Sequence, residues 1–203
     1  MGGNCSPLLA DLFLLNCEFN FMKQLVKNKK FGLAKLLSYN SRYIDVICVI
    51  NYKHFEALIP KIYPVDLIAD RNGTDDKSAI YLDTRVEISD NGLRTTVYHK
   101  VEDFNFPVVL LTFPESTIPY SMGINVFAEL VLRFSRICSH LPDLIDRINK
   151  TISVMSSRGY CKTIMKVCTE KILTNHSEVL IKYGLFSARQ LTSQCAFQTF
   201  KMS

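Results

Sequence analysis

The chain has 203 residues and a mass of 23.2 kDa; 48% of its residues are hydrophobic, 21% are charged, and the net charge is +5. That balance supports a buried core and argues against a wholly disordered chain. The most apolar runs, Pro7–Leu15 and Pro107–Thr112, fall well short of the ~20 residues that spanning a bilayer requires, and Asp11 interrupts the first.

Taken in chain order, Ser6 as N-cap and Pro7 at the first helical position open a helix over 7–26. Leu8, Leu12, Leu15, Phe19, Met22 and Val26 recur at helical spacing, which predicts that this stripe packs inward. The basic run Lys27–Lys30 suits the helix end. Arg42–Ile50 is rich in β-branched and aromatic residues and reads as a buried strand or a tight hairpin. A lone carboxylate is costly to bury, so Asp45 is expected to reach the surface at a turn or to hold a partner. Lys53–Tyr63 reads as a short helix stopped by Pro64, and Asp70–Lys77 as a polar loop. Ile80–Ile88 alternates as one strand, Ser89-Asp90-Asn91-Gly92 turns, and Leu93–Lys100 returns, Asn-Gly being a strong hairpin signal.

Three prolines make Phe104–Pro119 irregular, after which the period becomes helical. One face is Phe127, Leu130, Val131, Phe134, Ile137 and Cys138; a second, between Pro142 and Gly159, is Ile145, Ile148, Ile152 and Met155. Cys161, Ile164, Cys168 and Ile172 are expected to form a third. Beyond Leu185 the Ser/Thr/Gln-rich tail specifies no element. The fold class is therefore α+β: a helix with antiparallel strands or hairpins, followed by a helical region. The domains expected are 1–118, 119–184 and an unassigned tail, 185–203.

Seven cysteines, an odd number with no Cys-x-x-Cys pair, argue against a disulfide scaffold or a zinc site. Most of them read as small apolar fillers in a reducing compartment. Nothing at the N-terminus resembles a secretory signal, so the expected location is intracellular, in nucleus or cytoplasm.

Three segments in order carry a resemblance. Met1-Gly2-Gly3-Asn4-Cys5-Ser6-Pro7-Leu8-Leu9-Ala10-Asp11-Leu12 looks like a small-residue loop and helix beside a polymerase site. Arg42-Tyr43-Ile44-Asp45 looks like a metal-binding strand, and Tyr81-Leu82-Asp83 with Tyr98-x-Lys100-x-x-Asp103 like the strands downstream of it. Together they resemble the reverse transcriptase domain of Penelope-like retroelements, over Met1 to about Tyr183. The resemblance implies a partial polymerase palm followed by a thumb, with RNA and DNA as partners and Mg²⁺ as the cofactor of an intact member. Catalysis of that kind uses two metal ions held by carboxylates from two strands. Asp45 matches the first aspartate of the family's Tyr-x-Asp-Asp, Val46 replaces the second, and the other carboxylate strand lies upstream of the matching loop. The expectation is a catalytically inactive, truncated domain in which Asp45 is a catalytic and metal-binding remnant and no cofactor is held. No small-molecule ligand is indicated.

Two other classes of function have support. From Arg133 to Lys171 there are eight cationic side chains against three carboxylates, a net charge of +5. A thumb-like face of Arg133, Arg136, Arg147, Lys150, Arg158, Lys162 and Lys166, with Gly2 and Gly3 in the loop, is a candidate for phosphate-backbone binding. Met1-Gly2-Gly3-Asn4-Cys5-Ser6 also fits the N-myristoylation pattern, with Cys5 available for palmitoylation and Lys23, Lys27, Lys29, Lys30 and Lys35 as a basic supplement. Acylation at Gly2 would associate the chain with membranes. The bland alternatives are a surface ion pair for Lys100 and Asp103 and cross-strand packing for Tyr81 and Tyr98.

Overall fold

A computed structural model describes residues 6–50, 52–69, 77–90, 92–104 and 112–197. The architecture is α+β, with two small antiparallel sheets and eight α-helices among the described residues. The chain divides into two compact units, Met1–Thr74 and Asp75–Ser203.

Unit 1 holds α1 (Ser6–Lys27), α2 (Phe31–Leu37), the hairpin β1 (Ser41–Tyr43) and β2 (Val46–Cys48), a 3-10 turn at Glu56–Leu58 and α3 (Ile59–Ile62). Tyr63 turns extended ahead of Pro64 and ends α3 where the sequence predicts. The α1 stripe does not pack as expected. Leu8, Leu12, Leu15, Phe19 and Val26 are exposed, whereas Leu25 is buried and Leu14, Phe21 and Met22 are half-buried. The helix is apolar on nearly every side, so periodicity alone does not select the inward face. What selects it is the pair Asp11 and Glu18, seven residues apart, which face Arg42. Among the described residues, the unit's buried hydrophobic residues are few: Leu25, Ala34, Leu58 and Tyr63.

Unit 2 begins with the meander β3 (Ser78–Tyr81), β4 (Thr84–Ser89) and β5 (Gly92–Val97). The single strand expected over Ile80–Ile88 is two strands, because Leu82 adopts a left-handed φ of 56° and reverses the chain at Leu82-Asp83. Ser89 pairs with Gly92, so the second reversal closes over Ser89–Gly92, where the sequence places the turn.

Helices follow: α4 (Tyr120–Ile137), α5 (Leu141–Ser157), α6 (Lys162–Asn175), α7 (Ser177–Lys182) and α8 (Ala188–Gln194). The faces expected of α4 and α5 form the core, with Phe127, Val131, Phe134, Ile148, Ile152 and Met155 all buried. Gly159, at φ 98°, terminates α5. The expected face of α6 is wrong by one position: Met165, Thr169 and Leu173 are buried, while Cys161 and Ile164 are exposed. Thr169 is tolerated inside because its hydroxyl donates to the Met165 carbonyl at 2.9 Å. The tail joins the core through Leu191, Cys195 and Phe197, the last edge-on to Phe127. Lys182 closes the C-terminal end of α4, donating from Nζ to the carbonyls of Ser135 (2.8 Å), Arg136 (3.0 Å) and Cys138 (2.7 Å). Burial holds its pKa below the ordinary lysine value.

Candidate functional site

In unit 1, Ser41 pairs with Cys48, Arg42 with Ile47 and Tyr43 with Val46, which leaves Ile44-Asp45 as a two-residue turn. Asp45 therefore stands at a hairpin tip, not within a strand. It is exposed and makes no ion pair among the described residues. Ile44 lies at φ 51°, a region that a β-branched residue occupies only at a cost. The turn is braced from behind by Arg42, whose side chain is only 9% exposed. Its Nη1 donates to the Ile44 carbonyl (2.9 Å) and to Asp11 Oδ1 (2.6 Å), and its Nε donates to Glu18 Oε1 (2.6 Å). The Tyr63 hydroxyl donates to the same Glu18 oxygen at 2.6 Å. Burial alone would lower the Arg42 pKa, but the bonds to Glu18 and Asp11 outweigh it and raise the value. Burial, then the bond to Glu18, pushes the Tyr63 pKa far up. Both groups thus hold their protons across the physiological range and act as fixed donors.

The second Tyr-aliphatic-Asp segment, Tyr81-Leu82-Asp83, repeats the turn in unit 2. Here Arg133 on α4 binds the carboxylate of Asp83, and the Asp83 carbonyl accepts from the Tyr98 N–H at 2.8 Å. Asp103 takes the Tyr98 hydroxyl, which raises the tyrosine pKa; the surface ion pair of Lys100 with Asp103, the bland alternative, does not form. Lys100 and Asp103 instead bound a 3-10 turn.

The expected basic face is divided. Arg133 is held by Asp83; Arg147 is held by Glu102 and donates to the Val97 carbonyl at 2.6 Å. Lys150 pairs with Asp146 at 2.9 Å, and the Arg158 guanidinium lies 5.3 Å from the centre of the Phe113 ring. Arg136, Lys162 and Lys166 make no ion pair among the described residues, Arg136 at the end of α4 and the two lysines on α6. Gly2 and Gly3 lie outside the described residues. Reading the sequence missed Arg42; the available signal was two carboxylates seven apart on an apolar helix, which need a cation.

Of the described cysteines, Cys138 and Cys195 are buried, and burial pushes Cys195 up to about 12. Cys161 departs from the filler role: it is exposed at the start of α6, where the N–H groups of Ile164 and Thr163 hold its thiol below the ordinary value. Among the described residues, no three His, Cys, Asp or Glu side chains come together as a metal site. The hairpin tip does not fit the two-ion chemistry that the resemblance implies, since Asp45 has Val46 beside it where a second carboxylate would stand. Comparison of the chain with protein-family models, with curated proteins and with solved structures finds no match.

Proposed function

We propose that this chain is part of a reverse transcriptase domain, palm and then thumb, that is catalytically incomplete as it stands. The observation that carries the reading is the tip of the first hairpin. A β-branched residue is held at positive φ directly before an exposed aspartate that makes no ion pair among the described residues, and an arginine with a buried side chain braces the turn. Strain of this kind collects where a side chain must be presented in one orientation. Asp45 is so presented, while Val46 removes the second carboxylate that a pair of divalent ions would need.

Purified protein is expected to give no primer extension in Mg²⁺ or Mn²⁺. Extension that Asp45→Ala abolishes would sink the claim of inactivity. Val46→Asp sets two carboxylates side by side, and Mn²⁺ binding followed by paramagnetic resonance is expected to tighten in that variant and to weaken again on adding Asp45→Asn. No response to either change would remove Asp45 from the site.

A second reading, a nucleic-acid-binding module without chemistry, is favoured by Arg136, Lys162 and Lys166, which no carboxylate occupies among the described residues. Binding through them would weaken steeply with salt and ignore sequence. An affinity independent of salt, or none, would eliminate it.

A further inference from the structure

We propose that the free face of α1 is a docking surface for an anionic lipid bilayer, lying flat on it; this is independent of the polymerase reading. The helix has 22 residues, about 33 Å at the standard rise. Leu8, Leu9, Leu12, Phe13, Leu15, Phe19 and Val26 are each between 51% and 63% exposed. Six of the seven fall between Leu8 and Phe19, bordered by the exposed Asn16 and Asn20, a denser grouping than the scattered single residues normal on a soluble protein. Both acidic residues of the helix, Asp11 and Glu18, are turned to the other side and held by Arg42. The charges left around the free surface have one sign. Lys23, Lys27, Lys29, Lys30 and Lys35 lie along α1, its connection and α2, and none makes an ion pair among the described residues. Lys23 lies 4.4 Å from the centre of the Phe19 ring, so a cation borders the apolar strip directly.

Charge selects the occupant. A second copy would bring its own lysines to this face and no carboxylate to meet them, whereas an anionic bilayer supplies apolar depth under the leucines and negative headgroups for the ammoniums. The helix cannot cross: none among the described residues is long and apolar enough, and Asp11 and Glu18 interrupt this one. Surface docking is the remaining geometry. It requires no acyl group, although acylation at Gly2 would reinforce it.

The test is co-sedimentation of the full chain with vesicles of phosphatidylcholine, with and without phosphatidylserine, at low and raised salt. Binding is expected only to the phosphatidylserine vesicles and is expected to fall with salt. Leu12→Glu combined with Phe19→Glu should abolish it, and circular dichroism should show the helix retained, since both side chains leave the packed side of α1. Lys27→Gln with Lys30→Gln avoids the apolar face altogether and should weaken binding roughly 25-fold, about fivefold for each charge. Absence of binding, or equal binding to neutral vesicles at any salt, overturns the proposal. So does a dimer in solution that the Leu12→Glu, Phe19→Glu variant dissolves, which would assign the face to a second copy.

Discussion

Tyr43-Ile44-Asp45-Val46 in unit 1 and Tyr81-Leu82-Asp83-Thr84 in unit 2 form the same reversal, each with an aliphatic residue in the left-handed region and an aspartate after it. The supports differ. In unit 2 the aspartate itself is consumed by Arg133, and the meander rests on helices whose core includes Phe127, Leu144, Ile148 and Met165. Among the described residues of unit 1, the aspartate has no ion-pair partner, the arginine grips the turn's carbonyl from behind, and few apolar side chains are buried. An ion-pair frame in place of a large core leaves a unit able to present a polar tip and an apolar helix face at once, at the expense of its own stability.

The largest expected effects follow from that contrast. Ile148→Ala removes a fully buried side chain and should cost unit 2 about 2–5 kcal/mol. Arg42→Met should cost unit 1 about 1–3 kcal/mol, less than a sealed ion pair would, because Asp11 and Glu18 are partly exposed and recover water. Amide hydrogen exchange, read separately for each unit, distinguishes the two. If Arg42→Met leaves exchange in unit 1 unchanged, the ion pairs do not hold that unit and the contrast collapses.

The division between what could and could not be read from sequence follows the same physics. Helices α4 and α5 were legible with their inward faces, because their apolar residues are confined to one side and proline and glycine mark their ends. Helix α1 was legible as an element and not as a packing face: leucines surround it, and the inward side is chosen by Arg42, which lies far along the chain. Helix α6 failed for a related reason, since Thr169 looks polar until its hydroxyl is seen bonded to its own backbone. The turn at Leu82-Asp83 has no glycine, proline or asparagine to announce it, so an alternating pattern read straight through it. Asp45 was legible as a carboxylate that must surface at a turn or hold a partner, and the first is what forms; the brace behind it was not legible. The basic face was legible as a charge count, but the partners that neutralise Arg133 and Arg147 come from other elements.

Replacing the strained residue in each turn tests whether the two reversals are equivalent. Ile44→Gly and Leu82→Gly should each relieve a left-handed penalty of about 1–2 kcal/mol, offset by the extra freedom glycine loses on folding, for a net stabilisation of roughly 0.5–1 kcal/mol. Ile44→Gly should give the larger rise in urea midpoint, since β-branching makes its position worse. It should also loosen the Asp45 tip, seen as faster backbone relaxation there. A loss of stability on Ile44→Gly would mean that the half-buried isoleucine side chain contributes more by packing than its backbone costs.

The smallest effect concerns the ion pairs of unit 2, which trim a fold already held by its core. The Arg147 hydrogen bond is the main cause that keeps Glu102 below the ordinary glutamate range. A carboxylate with a depressed folded pKa contributes stability that is present above its unfolded pKa and lost as pH falls through the folded value. Glu102 is half exposed, so solvent screening limits the contribution to under about 1 kcal/mol. Wild type should therefore exceed Glu102→Gln slightly in urea midpoint at neutral pH, and the gap should close as pH falls below the ordinary glutamate range. A gap that persists in acid would show that the glutamine fails to replace a hydrogen bond needed for geometry, since Arg147 also donates to the Val97 carbonyl at the end of β5. Unit 2 would then depend on a polar frame as unit 1 does, and its large core would be less sufficient than its burial implies.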